Sequence, residues 1–393
     1  MRLVTTTIGA GLAVLSISAA LGARGGQTQP ARPGAPAEEN ILIAQGWSSL
    51  VAGQLTDARA KAEQVVQRYP RNVAGAVLLV EVEIARGGGL AGLSAYDAWM
   101  GDRKVEDGNL LRRVSRAMLW DAARVPEASV DALQYLAADG DAEARGQLAR
   151  RMLENSLGET RALARIGDEA AARKLIDTMD RTQGSKTLLI AAVVETRSPL
   201  AIPSLIRILD DTNHPENVAA AANGLGQLNA RNALPQLQRL FTDQAQISPV
   251  RFSAAGALIK LGDTSGLAFL QARLMQEAFP NGGSPTAVRL AAARELAGQP
   301  DRSWITVLEE ALNDPAPDMR VQAAELLAPY EVDLVRGAVE RLLRDDNPAV
   351  RERAGKLLVQ RLAGDFGTLR RMLRSPDAPV QVAAAGRILE LSR

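Results

Sequence analysis

The chain keeps returning to one short phrase. SPVRFSAAGALIKL begins at residue 248, and variants follow as PTAVRLAAARELA at 285, APDMRVQAAELLA at 316, NPAVRERAGKLLV at 347 and APVQVAAAGRILE at 378, with a weaker cousin, PENVAAAANGLGQL, at 215. Aligned on the aliphatic residue near the start of the phrase, Val218, Val250, Val288, Met319, Val350 and Val380 are spaced by 32, 38, 31, 31 and 30 residues. The one long interval holds FPNGGS at 279–284, an inserted loop. A period of this size points to a stacked array rather than a single globular core.

Within each unit the residues favour helices. Ser248 is placed to cap and Pro249 to take the first helical position, where a missing N–H costs nothing. Phe252, Ala255, Leu258, Ile259 and Leu261 recur with helical spacing, and Gly262-Asp263 ends the run. A second amphipathic stretch follows in each unit, as in GLAFLQARLMQEA, SWITVLEEALND, DLVRGAVERLLRD and GTLRRMLRS. Two antiparallel helices per unit result. An isolated unit of about 30 residues buries too little apolar surface to offset its ordering entropy, so the units hold only by stacking on one another. The expected fold is all-α, an α-solenoid or superhelix of stacked antiparallel helix pairs.

Composition agrees and excludes several chemistries. Aromatic residues are 3% of the chain, with Ala, Leu and Val filling an apolar share of 47%. That balance favours helices with small side chains over β-sandwiches. Net charge is +1, so no overall field draws the molecule to nucleic acid or anionic lipid. Basic residues are mostly Arg, which is consistent with a G+C-rich, bacterial coding bias. There is no Cys and a single His, His214, in NHPEN. This removes thiol catalysis, disulfides, Cys/His zinc sites and any imidazole triad. His214 belongs to a helix-entry turn. No cofactor or metal site is expected.

The pattern P-x-[V/M]-R…A-A…L…LGD resembles HEAT repeats, of the short kind called phycobilisome-lyase-like. The resemblance is clear over 215–393, and the fainter units DAEARGQLARRM at 141 and SKTLLIAAVVETRSPLAIPSLIRILDD at 185 extend it back to about 126. Ahead of it, NILIAQGWSSLVAGQLTDARAKAEQVVQRYPRN sets Gly46, Ala58 and Pro70 at separations of 12 and 12, which resembles a tetratricopeptide repeat. Gly46 and Ala58 would let two helices approach closely, and Pro70 would stop the second. The domain reading is therefore a signal peptide at 1–23, a disordered linker at 24–39, a tetratricopeptide-like segment at 40–125 and a HEAT-like solenoid at 126–393. The first of these rests on Arg2, an apolar run and small residues near Ala23. It places the protein in the periplasm or outside the cell, or anchored in a membrane if the run is not cleaved.

Four features compete for functional roles. Gly87, Gly89 and Gly92 fit G-x-G-x-x-G after an apolar run, but no strands alternate with helices downstream to build a dinucleotide fold, so they read as a Gly-rich loop joining helices. Arg251, Arg289, Arg320 and Arg351 occupy equivalent places, with Asp263, Asp314 and Asp346 near the turns, and read as inter-repeat hydrogen-bond ladders. Arg207, Arg239, Arg273, Arg336, Arg344, Arg370 and Arg371 lie on the second helices, which in HEAT-like arrays line the concave surface. They form a candidate stripe for an acidic peptide, polyanionic glycan or lipid head group. Finally, the last segment is a first helix without a second. Either it lies on the preceding unit with Arg387 and Glu390 outward, or it docks on another chain.

No carboxylates pair as an acid/base couple, and G-x-S-x-G, H-E-x-x-H and G-x-x-x-x-G-K-[S/T] are absent. The sequence therefore implies an exported, non-enzymatic scaffold that binds a protein or peptide along its repeats. The phycobilisome-lyase resemblance implies chromophore attachment or removal as the enzymatic alternative, and some HEAT-like folds bind nucleic acid. Near-zero charge and an export signal weigh against the latter.

Overall fold

A computed structural model describes residues 38–154, 156–275, 285–362 and 364–393. The stretch read as a signal peptide and the FPNGGS insertion lie outside the described residues. Among the described residues every regular element is helical. The head comprises α1 (Glu38–Val51), α2 (Leu55–Arg68), α3 (Val73–Met100) and α4 (Gly108–Ala122). The body continues as α5 (Pro126–Ala138), α6 (Ala142–Leu153), α7 (Leu157–Arg165), α8 (Glu169–Arg181), α9 (Thr187–Glu195), α10 (Ile202–Ile208), α11 (Pro215–Gln227) and α12 (Leu234–Thr242). It ends with α13 (Ser248–Lys260), α14 (Leu267–Leu274), α15 (Pro285–Leu296), α16 (Ser303–Ala311), α17 (Pro317–Leu327), α18 (Val332–Leu342), α19 (Pro348–Leu357), α20 (Phe366–Met372) and α21 (Ala378–Leu391). None of these helices is long and apolar enough to cross a membrane.

Helix ends follow the local chemistry, with two adjustments. Pro249 lies in the first turn as expected, but Ser248 is already helical and Ile247 holds the cap position without a side-chain bond. Side-chain caps come instead from Asp141, Asp168, Asn347 and Asp365, whose oxygens accept first-turn N–H groups. Gly262 ends α13 at φ +91°, and the Asp263 N–H reaches back to the Leu258 carbonyl, closing the helix as a left-handed glycine allows. His214 is the cap position of α11, its ring 3.1 Å from Asp211. At the head, α1 starts at Glu38, inside the stretch read as linker. Glu38 pairs with Arg68, and Glu39 accepts from Asn72 at 2.9 Å.

The glycine-rich stretch is a break and not a loop. Gly87 and Gly88 leave helical geometry, Gly88 at φ +77°, and split α3 into two arms. In a continuous helix residues 84 and 92 would stand about 12 Å apart. Here a Cβ on Gly92 would lie 2.5 Å from Ile84, so the arms are sharply bent against each other. The Gly89 N–H donates to Asp121 of α4 at 2.7 Å, capping the second arm.

From α5 onward the array has two layers. The odd-numbered helices pack side by side in sequence, α5 on α7, α7 on α9, and so on to α19 on α21. The even-numbered helices pack on their odd partners, but their backbones do not approach one another in this way. The layer whose neighbours touch occupies the shorter circumference, so the first helices are inside and the second helices outside. This reverses the expected placement of the second helices on the concave face.

The array is bent until its ends meet. α21 lies against α4 and α5 as well as α19. Val382, Ala383, Ala384, Ala385, Ile388 and Leu389 join one core that runs from Ala76 to Leu261. A second core spans Phe252 to Leu358, and Phe241 and Met372 pack against both. The last helix therefore docks on the head of its own chain, an arrangement that neither sequence-based alternative contained. Arg387 and Glu390 do face outward, paired at 2.9 Å. The α1–α2 hairpin packs on α3 through a small cluster of Ala58, Ala62, Leu78 and Val82, with Leu78 filling the space beside Gly46.

Candidate functional site

The repeated arginines serve the scaffold. Arg320 donates to the carbonyls of Asp314 and Pro315 and reaches the carboxylate of Asp345 in the next repeat at 3.0 Å. Arg351 repeats this with the carbonyls of Asp345 and Asp346 and the carboxylate of Asp377 at 3.6 Å. The ladder thus exists, but its charged partners lie one repeat further on, and Asp314 and Asp346 contribute backbone oxygens. Asp263 instead accepts from Gln238 at 2.7 Å. Arg251 and Arg289 donate to the Phe241 and Leu274 carbonyls.

The inner layer is stitched by charge. Arg161 and Arg165 of α7 meet Glu195 of α9 at 2.6 and 3.2 Å. Lys260 of α13 holds Glu295 of α15 at 3.0 Å and Asn223 of α11 at 3.2 Å. Arg353 of α19 meets Glu325 of α17 at 2.7 Å. Glu295 is only 5% exposed and lies over Gly256, where any side chain would displace it. Adjacent opposite charges leave this lining with little uncompensated potential. These pairs hold neighbouring helices of the inner face together.

The seven candidate arginines of the outer layer divide by what they touch. Arg207 pairs with Asp180 at 2.7 Å, Arg239 with Asp210, and Arg370 with Asp97 at 2.8 Å and Glu106 at 3.1 Å. Arg273 stacks over Phe269, its guanidinium carbon 5.5 Å from the ring centre. Arg371 donates only to Thr368, at 3.1 Å. Arg336 and Arg344, both exposed, make no ion pair among the described residues. A continuous stripe is thus not formed: Arg207, Arg239 and Arg370 are neutralised, and the charge without an ion pair lies at Arg336 of α18 and at Arg344 just beyond it.

The same part of the outer layer exposes apolar side chains. Tyr330, Val332 and Leu334 are 46%, 36% and 41% exposed. On α18 Leu334 and Arg341 stand seven residues apart on one face, with Gly337 between them and open space where its Cβ would be. Apolar anchors beside unpaired guanidinium groups form a surface that can bury a hydrophobic side chain and receive a carboxylate. The sequence reading selected Arg336, Arg344 and Arg371. It missed Tyr330, Val332, Leu334 and Arg341, although D-L-V-R-G-A-V-E-R carries more apolar residues than one buried stripe needs.

Among the described residues no group of His, Asp or Glu is arranged to hold a metal ion. Cavities of about 470 Å³, beside Asp210, Asp211 and Arg239, and about 430 Å³, beside Asp131, Tyr135 and Arg161, are open and mixed in lining.

Residues 202–280 match the family model of HEAT repeats. No curated protein matches the sequence. Among solved structures, human deoxyhypusine hydroxylase in complex with glycerol is 16% identical, covering 72% of this chain and 98% of that one, with a TM-score of 0.29. An engineered protein is 18% identical, covering 89% and 98%, with a TM-score of 0.26. At those scores neither bears on what this chain does.

Proposed function

We propose that this chain, a HEAT-repeat protein, is an exported, non-enzymatic scaffold that binds an acidic peptide segment of another protein along the outer face of α18 and α20. HEAT repeats are in general protein-interaction surfaces, and stacked repeats present extended, preorganised ones. The observation that carries the choice of face is the coincidence of Arg336 and Arg344, which make no ion pair among the described residues, with exposed Tyr330, Val332 and Leu334, whereas Arg207 and Arg239 of the earlier repeats are paired with Asp180 and Asp210. A peptide with one large apolar side chain flanked by Asp or Glu matches that surface. Export rests on Arg2 and the apolar run that follows, and implies a periplasmic or secreted protein.

The test is fluorescence anisotropy with a labelled peptide carrying a central Phe or Leu between acidic residues. Binding should weaken with added salt and fall roughly ten-fold or more in Arg336→Glu/Arg344→Glu, because two guanidinium contacts become repulsive. Leu334→Ala should weaken it without changing its salt dependence. Equal binding by the wild type and the double variant would remove this face from consideration. Cell fractionation with N-terminal sequencing tests the export reading separately.

A further inference from the structure

We infer that the cavity of about 430 Å³ at the seam of the ring, where α21 meets α5, binds a small zwitterion of the amino-acid class with an aliphatic side chain. Its walls come from four inner helices, α19 with the turn after it, α21, α5 and α7. Lys356 of α19 and Arg161 of α7 therefore border one space although two helices of the layer stand between theirs. Only closure of the ring brings these walls together, and the volume lies in the range that small ligands occupy.

The charges here balance in sum but not in place. Arg161 and Arg165 share a single carboxylate, Glu195, and Lys356 pairs with Glu352 at 2.7 Å. Both carboxylates stand outside the cavity wall, whereas all three cations line it. Arg161 bonds Glu195 through Nε and Nη2, and Arg165 approaches it through Nε, so further guanidinium N–H groups remain to receive a carboxylate. Asp131 of α5 also lines the cavity, is exposed, and makes no ion pair among the described residues. It offers an ammonium group its counter-charge. Burial pushes the Tyr135 hydroxyl above the ordinary phenol range, Glu390 and Asp131 add to this, and Arg165 opposes it. A carboxylate and a guanidinium thus stand within electrostatic reach of the same hydroxyl.

Between the charged groups the wall is apolar and made of short side chains, among them Val130, Ala162, Val382 and Ala383. A Cβ on Gly158 would meet only Val130, at 3.7 Å, an ordinary contact. Larger residues at Gly158 and Ala162 would fill the space and gain dispersion contacts across the seam. The chain instead keeps room for an aliphatic group between a cationic and an anionic pole. The cavity is too small for a folded partner, so the inference stands whether or not the outer face of α18 binds a peptide.

Isothermal titration calorimetry of the full chain with leucine, N-acetylleucine and leucinamide tests it. Leucine should bind saturably, and the two derivatives, each lacking one charge, should bind roughly ten-fold or more weakly. Asp131→Asn should lower leucine affinity roughly 3- to 10-fold and leave that of N-acetylleucine unchanged, because the lost partner is the ammonium's. Arg165→Gln/Lys356→Gln should lower leucine affinity and leave that of leucinamide unchanged. Circular dichroism establishes that the variants are folded; should either fail to fold, the three probes on the wild type decide. No saturable binding at millimolar leucine overturns the site. N-acetylleucine bound as tightly as leucine assigns the cavity to simple carboxylic acids and overturns the zwitterion. Leucine affinity unchanged in both variants places the binding elsewhere and overturns the inference as well.

Discussion

The closure of the ring can be tested through one glycine. Gly386 is buried in α21, and a Cβ built on it would fall well inside contact distance of Cδ1, Cγ and Cε1 of Tyr135 in α5. These atoms belong to the near part of the ring and cannot swing aside as a flexible tip would. Two effects oppose each other in Gly386→Ala. Alanine favours the helix by about 1 kcal/mol, and overpacking against the ring costs about 1–3 kcal/mol. The expected net is a loss of about 0–2 kcal/mol. In a Tyr135→Ala background the obstruction is gone and only the helical preference remains, so the same substitution should stabilise by about 1 kcal/mol. The coupling between the two sites is then about 1–3 kcal/mol, well above the non-additivity of distant sites. Gly146 in α6, beside which a Cβ meets nothing within 4 Å, supplies the reference: Gly146→Ala should stabilise in either background. Urea unfolding of the wild type and the three seam variants measures these differences. If Gly386→Ala stabilises equally with and without Tyr135, the last helix does not rest on α5 and the ring is open.

Two further outcomes follow from buried polar groups. Lys260→Met leaves the nearly buried Glu295 carboxylate without its ammonium partner and should lower stability by about 1–3 kcal/mol in urea unfolding; a change under about 0.5 kcal/mol would show that the inner-layer pairs are not structural. Burial, reinforced by its hydrogen bond to Glu106, holds the Tyr96 hydroxyl well above the ordinary phenol range. The folded chain therefore keeps that proton after the unfolded chain has released it. The stabilisation is complete below about pH 10, the unfolded value, and is lost as pH rises beyond it toward the folded value. Thermal melts of the wild type should fall through this window, and Tyr96→Phe should start lower at neutral pH and fall less steeply.

The repeat period, the helix pairs and the helix ends at glycine were legible because each depends on local spacing that the sequence displays directly. Ring closure was not, because it depends on accumulated curvature, to which every repeat contributes a small rotation. One signal did exist. In α21 Val380, Val382, Ala383, Ala384, Ala385, Ile388 and Leu389 are all buried, and they cover most of the helix circumference. A terminal helix apolar nearly all round must be covered on both sides, which points to a docking partner even if the partner's identity stays hidden. The bend at Gly87–Gly88 was misread as a loop because glycine signals a departure from helix without saying how many residues depart. The candidate stripe failed in half its length for another reason. A guanidinium's charge is visible in sequence, whereas Asp180 and Asp210, which neutralise Arg207 and Arg239, lie 27 and 29 residues away and become neighbours only through the stacking.

Closure also decides which surfaces remain for other molecules. In an open array the concave face and the two ends are the natural docking places, and the ends require polar caps to stay soluble. Here the last repeat is capped by the head of its own chain, and on the inner face charged pairs join α7 to α9, α13 to α15 and α17 to α19. What is left is the outer layer, where the backbones of second helices stand apart and only long side chains bridge them. On α10 and α12 even these are paired, to the preceding repeat. On α18 the corresponding exposed residues are Leu334, Gly337 and the arginines Arg336 and Arg341, which make no ion pair among the described residues. The proposed binding is placed on α18 and not on the interior because Arg336 and Arg341 there stand beside exposed Val332 and Leu334, close enough to be engaged by one peptide.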